Sequence, residues 1–588
     1  MFSKVLVANR GEIAIRVFRA LRELDIQSVA VYSETDADTP FVRYADEAYA
    51  LGDGPASETY LVIDKIIDVA KRSGAEAIHP GYGFLAENSA FAQACEDNDI
   101  VFIGPPASAI DSMGSKTKAR ELMKAAGVPI VPGTTDPVET VEDAKKIIDA
   151  EIGYPIAVKA AGGGGGKGFR VALTADELQD AFEGAAREGE KFFGDATVYL
   201  ERYLPNPRHV EVQIIADNAG NIVHLGERDC SVQRRHQKLI EEAPAPAVDE
   251  ALRERMGEIG IEAARAVGYR SAGTIEGLLQ DGEYYFLEMN TRVQVEHTVT
   301  EEVTGIDIVK EQISVAAGNP LSFGQDAVTI TGHAIECRIN FEDAAKNFAP
   351  APGKISVYRE PSGPGVRVDS GVVAGSEVSP MYDPMAAKLI VRDKDRATAT
   401  KRMIRALREF EIDAKTLIPF HIGLLASDQW ANEETCKDLT EDKDWLKQFA
   451  FDTALPPADE AGEAEKVEKK YMVEVSGKRY DVKVVGEANG FAGGGPGPAA
   501  AKKPKRAARA GASGNGASGE ALISPLQGTV LKVAVEQGAE VGEGDVIFII
   551  EAMKMENEIT AHRAGKVEEL GAAEGASVSA GDTLAIIR

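Results

Sequence analysis

Five glycines at residues 162–166 separate Ala157-Val158-Lys159-Ala160-Ala161 from Lys167-Gly168-Phe169-Arg170-Val171. The backbone N–H groups of such a loop can fold closely over phosphates. It is not a Walker A loop, because Lys167 stands at the wrong spacing from Gly162 and Gly168 sits where Ser or Thr would hold magnesium. A glycine run alone also suits an inert linker. Lys159, at the end of the preceding strand-like run, and the basic Lys116-Thr117-Lys118 favour a phosphate site. Glu276 and Glu288 offer a second chemistry: they lie in strand-like runs at 273–279 and 284–290, joined by Gln280-Asp281-Gly282-Glu283. That hairpin signal places the two carboxylates opposite each other or within a residue. They repel, and a hard divalent cation such as Mg2+ is the natural neutraliser. Glu288, Asn290, Arg292, Gln294 and Glu296 all fall at even positions, which an extended chain would turn to one face. A solvated edge strand could carry such a face, but rarely with two acids, an amide, an arginine and a glutamine together.

The third candidate is Lys554, in Glu551-Ala552-Met553-Lys554-Met555-Glu556. A lone lysine between methionines is ordinarily a surface residue. Its setting argues otherwise, because Gly528-Thr529-Val530 recurs as Gly565-Lys566-Val567, Gln537-Gly538-Ala539-Glu540-Val541 as Glu574-Gly575-Ala576-Ser577-Val578, and Gly544-Asp545 as Gly581-Asp582, always at an offset of 37. Two short all-β halves that cannot bury a face alone are predicted to pack as one small flattened barrel. Lys554 then sits at a hairpin tip near its middle, where a side chain that carries a cofactor between distant places belongs.

These groups need a scaffold. Lys4-Val5-Leu6-Val7 is an apolar run read as a first strand and not as a signal peptide. Helical recurrence of Ile13, Ile15, Val17, Phe18 and Leu21 follows, and further apolar runs at 28–31, 75–78 and 100–103 complete the pattern of a doubly wound sheet. Two of these end in Gly/Pro loops, His79-Pro80-Gly81-Tyr82-Gly83 and Gly104-Pro105-Pro106. Ligands gather at such strand ends, but no GxGxxG marks a dinucleotide site. Near 450 the chain turns acidic; Tyr471 to Val475, Ser476-Gly477, then Arg479 to Val485 read as a hairpin. Residues 486–519 are rich in Gly, Ala, Pro and Ser and are expected to be a mobile linker.

Composition narrows the function. With 65 Lys+Arg against 94 Asp+Glu the net charge is −29, which argues against nucleic acid as a partner. No apolar run reaches the roughly 18 residues of a membrane span. Cys95, Cys230, Cys337 and Cys436 lack metal-type spacing, so a reduced, zinc-free, cytoplasmic enzyme is expected.

The Ala-Met-Lys-Met sequence in its repeat resembles the biotinyl carrier domain of biotin-dependent carboxylases, and the flanking methionines favour biotin over lipoate. Four further stretches resemble the ATP-grasp biotin carboxylases: Lys4 to Ala14; His79-Pro80-Gly81-Tyr82-Gly83-Phe84-Leu85; Glu227-Arg228-Asp229-Cys230-Ser231 with Gln233-Arg234-Arg235-His236-Gln237-Lys238; and Glu288-Met289-Asn290-Thr291-Arg292-Val293-Gln294-Val295-Glu296-His297. The resemblance implies an α/β fold: a Rossmann-like N-terminal domain (1–113), an ATP-grasp domain (114–330, lid about 131–203), a C-terminal carboxylase domain (331–449), a connector with a β-hairpin (450–485), a flexible linker (486–519) and a small all-β biotinyl domain of barrel-sandwich type (520–588).

It also implies roles. Lys116, Lys159, His209 and glycines Gly163, Gly164, Gly165 and Gly166 would contact ATP, with Glu201, Leu204 and Leu278 around the adenine and Gln233 and His236 on polar groups of the nucleotide. Glu276, Glu288 and Asn290 would hold Mg2+ or Mn2+. Lys238, Arg292, Gln294 and the backbone of Val295 would bind bicarbonate, Glu296 would be its base, Arg338 would face the biotin ureido oxygen, and Lys554 would carry the biotin. Thr298 departs from the pattern, since many relatives have proline there.

The expected function is that of an acyl-CoA carboxylase α chain. It would carboxylate its own biotin through carboxyphosphate and present carboxybiotin to a separate carboxyltransferase β subunit, since residues 450–519 are too short to supply that domain. Biotin protein ligase would be a second partner, and a homo-oligomer within an αβ complex is implied. Rivals are the biotinylated subunit of a carboxylase for urea, a branched acyl-CoA or a 2-oxo acid, and a non-catalytic carrier with a degenerate ATP-grasp body. The basic cluster at 501–510 (Lys502, Lys503, Lys505, Arg506, Arg509) reads as part of a swinging arm beside an acidic carrier.

Overall fold

In the computed structural model the opening apolar run is strand β1 (Lys4–Val7), whose Val5, Leu6 and Val7 are fully buried. The structure describes all residues except 135, 165–166, 194–195, 236, 380, 451–465, 476–477, 488–520, 525–527, 553–554 and 579–581. For 116–117, 161–164, 167, 191–193, 466–475, 478–487, 529, 551–552, 555–557 and 577 it describes the backbone alone. β1 is central in a parallel sheet of order β3-β2-β1-β4-β5, with β2 (Gln27–Ser33), β3 (Glu47–Gly52), β4 (Ala77–His79) and β5 (Val101–Phe102). A parallel sheet needs covered faces; helix Gly11–Glu23 buries Ile13, Val17, Phe18 and Leu21 against one of them. β3 has no counterpart among the runs expected from sequence. As an edge strand it alternates exposed and half-buried residues, so Glu47-Ala48-Tyr49-Ala50 shows no continuous apolar run.

β6 (Ile156–Gly164), β7 (Lys167–Ala172) and β8 (Val198–Arg202) form a separate antiparallel sheet of order β7-β6-β8. Helix Leu178–Phe193 covers it, packing Phe182 and Ala185 among Ile156, Val158 and Leu200. The glycine run is not wholly a loop: 162–164 continue β6 across a register shift between Lys159↔Phe169 and Gly164↔Lys167.

The large sheet comprises β9 (Arg208–Ala216), β10 (Ile222–Arg234), β11 (Gln237–Ala243), β12 (Ser271–Gln280), β13 (Glu283–Asn290), β14 (His333–Asn340) and strands Met385–Asp393 and Val366–Ser370. Its order is β13-β12-β9-β10-β11-β14, then 385–393 and 366–370, all antiparallel. The sheet therefore runs without a break across residue 330.

Past the body, strands Lys466–Val475 and Lys478–Glu487 pair as a hairpin longer than expected; the expected linker at 486–519 lies almost entirely outside the described residues. In the C-terminal region, strands 521–523, 583–587, 565–570 and 540–541 form one sheet, and 555–560, 546–552, 528–533 and 577–578 the other. Each sheet mixes both halves of the repeat. The core follows the 37-residue offset, pairing Leu522 with Ile559, Val530 with Val567, Val541 with Val578, Ile547 with Leu584 and Ile550 with Ile587. No helix among the described residues is long and apolar enough to cross a membrane, and all four cysteines are buried free thiols.

Candidate active site

The register of four neighbouring strands lays charged residues side by side, with Arg228 (β10) opposite Glu211 (β9), Glu211 opposite Glu276 (β12), and Glu276 opposite Glu288 (β13). Between Val210, Val212 and Ile214 of β9, Glu211 and Gln213 are fully buried at i and i+2, hence on one face. Buried charge must be paired. Arg228, itself fully buried, donates to Glu211 Oε1 (2.6 Å), Gln213 Oε1 (2.6 Å), Thr300 Oγ1 (3.0 Å), Thr274 Oγ1 (3.2 Å) and Gln294 Oε1 (2.9 Å).

Lys238 on β11 projects its ammonium among three carboxylates: Glu211 Oε2 (2.5 Å), Glu296 Oε1 (2.6 Å) and Glu276 Oε1 (2.8 Å). Glu276 Oε1 also accepts Asn290 Nδ2 (2.7 Å) and Gln294 Nε2 (2.6 Å), and its Oε2 lies 2.9 Å from His209 Nε2. Burial alone would raise Glu276, but Lys238 and His209 outweigh it and hold the carboxyl well below the usual range. Glu296 is likewise buried yet held ionised by Lys238, Arg338 and Arg228. Arg338 on β14 donates Nε to Glu241 Oε1 (2.6 Å) and Nη2 to Glu296 Oε2 (3.0 Å). These contacts bring Lys238, Glu276, Asn290, Gln294, Glu296, Arg338 and His209 into one buried constellation.

The run 288–296 is not one extended face. It leaves the sheet after Asn290, and Val295 and Glu296 form a turn into helix His297–Thr304. The fully buried Lys388 Nζ holds the Val295 carbonyl at 2.8 Å and lies 3.4 Å from Glu12 Oε2. Arg292 stands apart from Lys238: its Nε donates to Glu87 Oε2 (2.9 Å) and its Nη2 to Asn290 Oδ1 (3.0 Å). Glu87 follows the loop after β4, which Asn9 Nδ2 fixes by donating to the carbonyls of Pro80 (2.8 Å) and Tyr82 (2.7 Å). Gly81 there has φ +63, and a Cβ on it would meet Asn9 Nδ2 at 2.8 Å. Glu87→Gln should therefore loosen Arg292, since a charge-assisted bond is lost.

Lys159 on β6 forms an ion pair with Glu201 on β8, which also faces Arg120 Nη1 at 3.3 Å. Leu204 is half-buried in the segment joining β8 to β9, and half-buried Leu278 pairs with His209 in the sheet. Gln233 pairs with Lys238 and donates to the Cys230 carbonyl (2.8 Å). Gly163 and Gly164 belong to β6. Gly165, Gly166, His236 and Lys554 lie outside the described residues, as does the side chain of Lys116, the first residue of helix Lys116–Ala125. The strands flanking Lys554 pair as far as Ala552↔Met555.

The donor set suits a hard divalent cation. Ligand atoms of His209, Glu211 and Glu276 lie within 4.8 Å of one another, and half-buried Glu288 is Glu276's strand partner. Sequence reasoning missed Glu211, Arg228, Glu87, Glu241 and Lys388. Only Glu211-x-Gln213, polar residues alternating with Val210, Val212 and Ile214, carried a readable signal.

With this geometry in place, comparisons decide the family. Residues 1–110 match "Biotin carboxylase, N-terminal domain", 115–323 "Carbamoyl-phosphate synthase L chain, ATP binding domain", 336–442 "Biotin carboxylase C-terminal domain" and 520–587 "Biotin-requiring enzyme". The "Biotin-dependent acyl-coenzyme A carboxylase alpha3 subunit" of Mycobacterium leprae is 47% identical over 596 residues, covering 100% of this chain and 98% of that protein. The chain belongs to the biotin-dependent carboxylases. This biotin carboxylase is also 55% identical over 435 residues to a pyruvate carboxylase subunit of Methanothermobacter thermautotrophicus, covering 74% of this chain and 88% of that one. The biotin carboxylase domain dimer of the Hydrogenobacter thermophilus 2-oxoglutarate carboxylase, solved with MgADP, ADP and bicarbonate, superposes with a TM-score of 0.67 at 48% identity, covering 74% and 97%. The chain is an α subunit that couples a biotin carboxylase body, with its ATP-binding domain, to its own biotin-requiring carrier domain.

The buried acids also set the pH dependence of stability. Burial would raise Glu301, but Arg16, His297 and Arg367 pull it down to about 2. Its contribution is present above the unfolded value of about 4.3 and is lost as the pH falls toward 2. Burial pushes Glu12, Glu336 and Glu342 up to about 7 and Glu241 to about 8. Their contribution is present below about 4.3 and is lost as the pH rises through 7 to 8. Urea midpoints should peak near pH 5 and fall on both sides.

Proposed function

We propose that this chain is the α subunit of an acyl-CoA carboxylase of the acetyl- or propionyl-CoA type, delivering its carboxyl group to a separate carboxyltransferase β subunit. The observation that carries this is the span of the M. leprae relative, which matches the whole chain, carrier included, whereas the pyruvate carboxylase relative matches 74% of it. The same reading implies a biotin protein ligase to load Lys554, a homo-oligomer within an αβ complex and a cytoplasmic setting.

In the chemistry we infer, Glu296 takes the proton of bicarbonate while Lys238 and Arg292 offset the growing charge, which makes attack on the γ-phosphate of ATP feasible and yields carboxyphosphate. Lys159, Lys116, His209 and the glycines of β6 and the two residues after it would hold the phosphates. Glu201, Leu204 and Leu278 would line the adenine, with Gln233 and His236 on polar groups of the nucleotide. Glu276, Glu288 and Asn290, joined by Glu211 and His209, would hold Mg2+, which neutralises phosphate charge. Biotin on Lys554 supplies the ureido nitrogen that accepts the carboxyl group. Arg338 would meet its ureido oxygen with Nη1, which has no partner among the described residues.

A second acceptor class, 2-oxo acids, is favoured by the 55% identity to the pyruvate carboxylase relative. Reconstitution with co-purified β subunits and labelled bicarbonate should label acetyl-CoA or propionyl-CoA. Label found in pyruvate or 2-oxoglutarate alone would overturn the acyl-CoA assignment and leave the family intact.

A further inference from the structure

Glu241 and Glu336 are partners across β11 and β14, and both are fully buried. Glu241 Oε2 and Glu336 Oε1 each lack a hydrogen-bond partner among the described residues. The remaining oxygens divide the polar contacts: Glu241 Oε1 takes Arg338, and Glu336 Oε2 takes the hydroxyl of Thr298. Thr298 is itself fully buried, two residues after Glu296, in the first turn of helix His297–Thr304. The charged groups facing Glu336 are Glu241 from β11, Arg338 from its own strand, Lys388 from strand Met385–Asp393 and Glu296 from the turn before the helix; Glu12 of helix Gly11–Glu23 stands behind Lys388. Glu296 is also held by Lys238 and Arg228, which leaves Glu241 and Glu336 to share Arg338 and Lys388, and Lys388 is also paired with Glu12. Two adjacent carboxylates with an unpartnered oxygen each cannot both stay ionised there, so the pair must hold a proton.

We propose that Thr298 is a positioning residue that assigns this proton to Glu241. A hydroxyl donor favours the ionised form of its acceptor, so Glu336 keeps its charge and the proton falls to its neighbour. Neutral Glu241 still accepts from Arg338 but no longer cancels its charge, and the guanidinium stays available to a ureido oxygen. Without the hydroxyl, Glu336 takes the proton, Glu241 ionises, and Arg338 is drawn into a full ion pair.

The consequence for Arg338 rests on its proposed contact with biotin; the place of the proton does not, and two measurements separate them. Native-minus-variant infrared spectra at neutral pH should show a protonated-carboxyl band that is lost in Glu241→Gln and shifted in Thr298→Val, the signals of Glu12 and Glu342 being common to both and cancelling. A band that persists unchanged in both variants overturns the proton assignment. In ATPase assays with free biotin, Thr298→Val should lower kcat/KM for biotin about tenfold, the worth of one pKa unit, with Thr298→Ser restoring it. In a Glu241→Gln background the Thr298→Val penalty should vanish, because the neutral partner is fixed covalently. An equal penalty in both backgrounds, or none in either, overturns the coupling to Arg338 even if the infrared result stands.

Discussion

Glu296→Gln is expected to lower biotin-dependent ATP hydrolysis by about two to four orders of magnitude, the usual worth of a general base. The amide keeps the shape of the side chain, but its one carbonyl oxygen can accept from Lys238 or from Arg338 and not from both, since the two donate to different oxygens of Glu296. What it cannot do is take a proton. Glu296 suits that role because Lys238 at 2.6 Å and Arg338 at 3.0 Å keep it ionised despite near-complete burial. On the proposed roles, affinity for ATP, measured by equilibrium binding, should change by less than about threefold. A variant that hydrolyses ATP at close to the native rate would remove the base assignment.

Lys554→Ala should separate the two half-reactions. Covalent biotin disappears, so acyl-CoA carboxylation by the reconstituted complex falls to background, while ATP hydrolysis stimulated by free biotin stays within about twofold of native. The loss should resist rescue by free biotin below millimolar concentrations, because a tethered group has an effective concentration in that range. Streptavidin binding on a denaturing blot is the control. A Lys554→Ala chain that still bound streptavidin would place the biotin elsewhere.

Legibility from sequence followed the range of the interactions. The Glu276↔Glu288 pairing could be read only to within a residue: the Asp-Gly turn alone sets Leu287 opposite Glu276, and a register shift between Glu276 and Gly277 brings Glu288 there. The carrier could be read because its core repeats at one offset. Glu87 could not: it reaches Arg292 from 205 positions away, and only the folded loop after β4 brings it there. Arg228 stands inside a family signature, yet its role was illegible, because its five acceptors come from four separate stretches of chain. Strand β3 was missed because an edge position needs little apolar sequence. The even-numbered run at 288–296 misled beyond Asn290, since a period of two describes residue spacing and says nothing of where the ladder ends.

The unbroken eight-stranded sheet bears on how this enzyme can be taken apart. Ile240 to Ala243 on β11 bond to Ala334 to Cys337 on β14, so a cut at residue 330 would release two raw strand edges rather than two modules. Such edges recruit other chains, and the separated pieces should co-precipitate unless they are expressed together. Exchange of parts between carboxylases should therefore succeed in the stretch between body and carrier and fail inside the body. Glu241 and Arg338 face each other across that same seam, so the contact between them is as indivisible as the sheet.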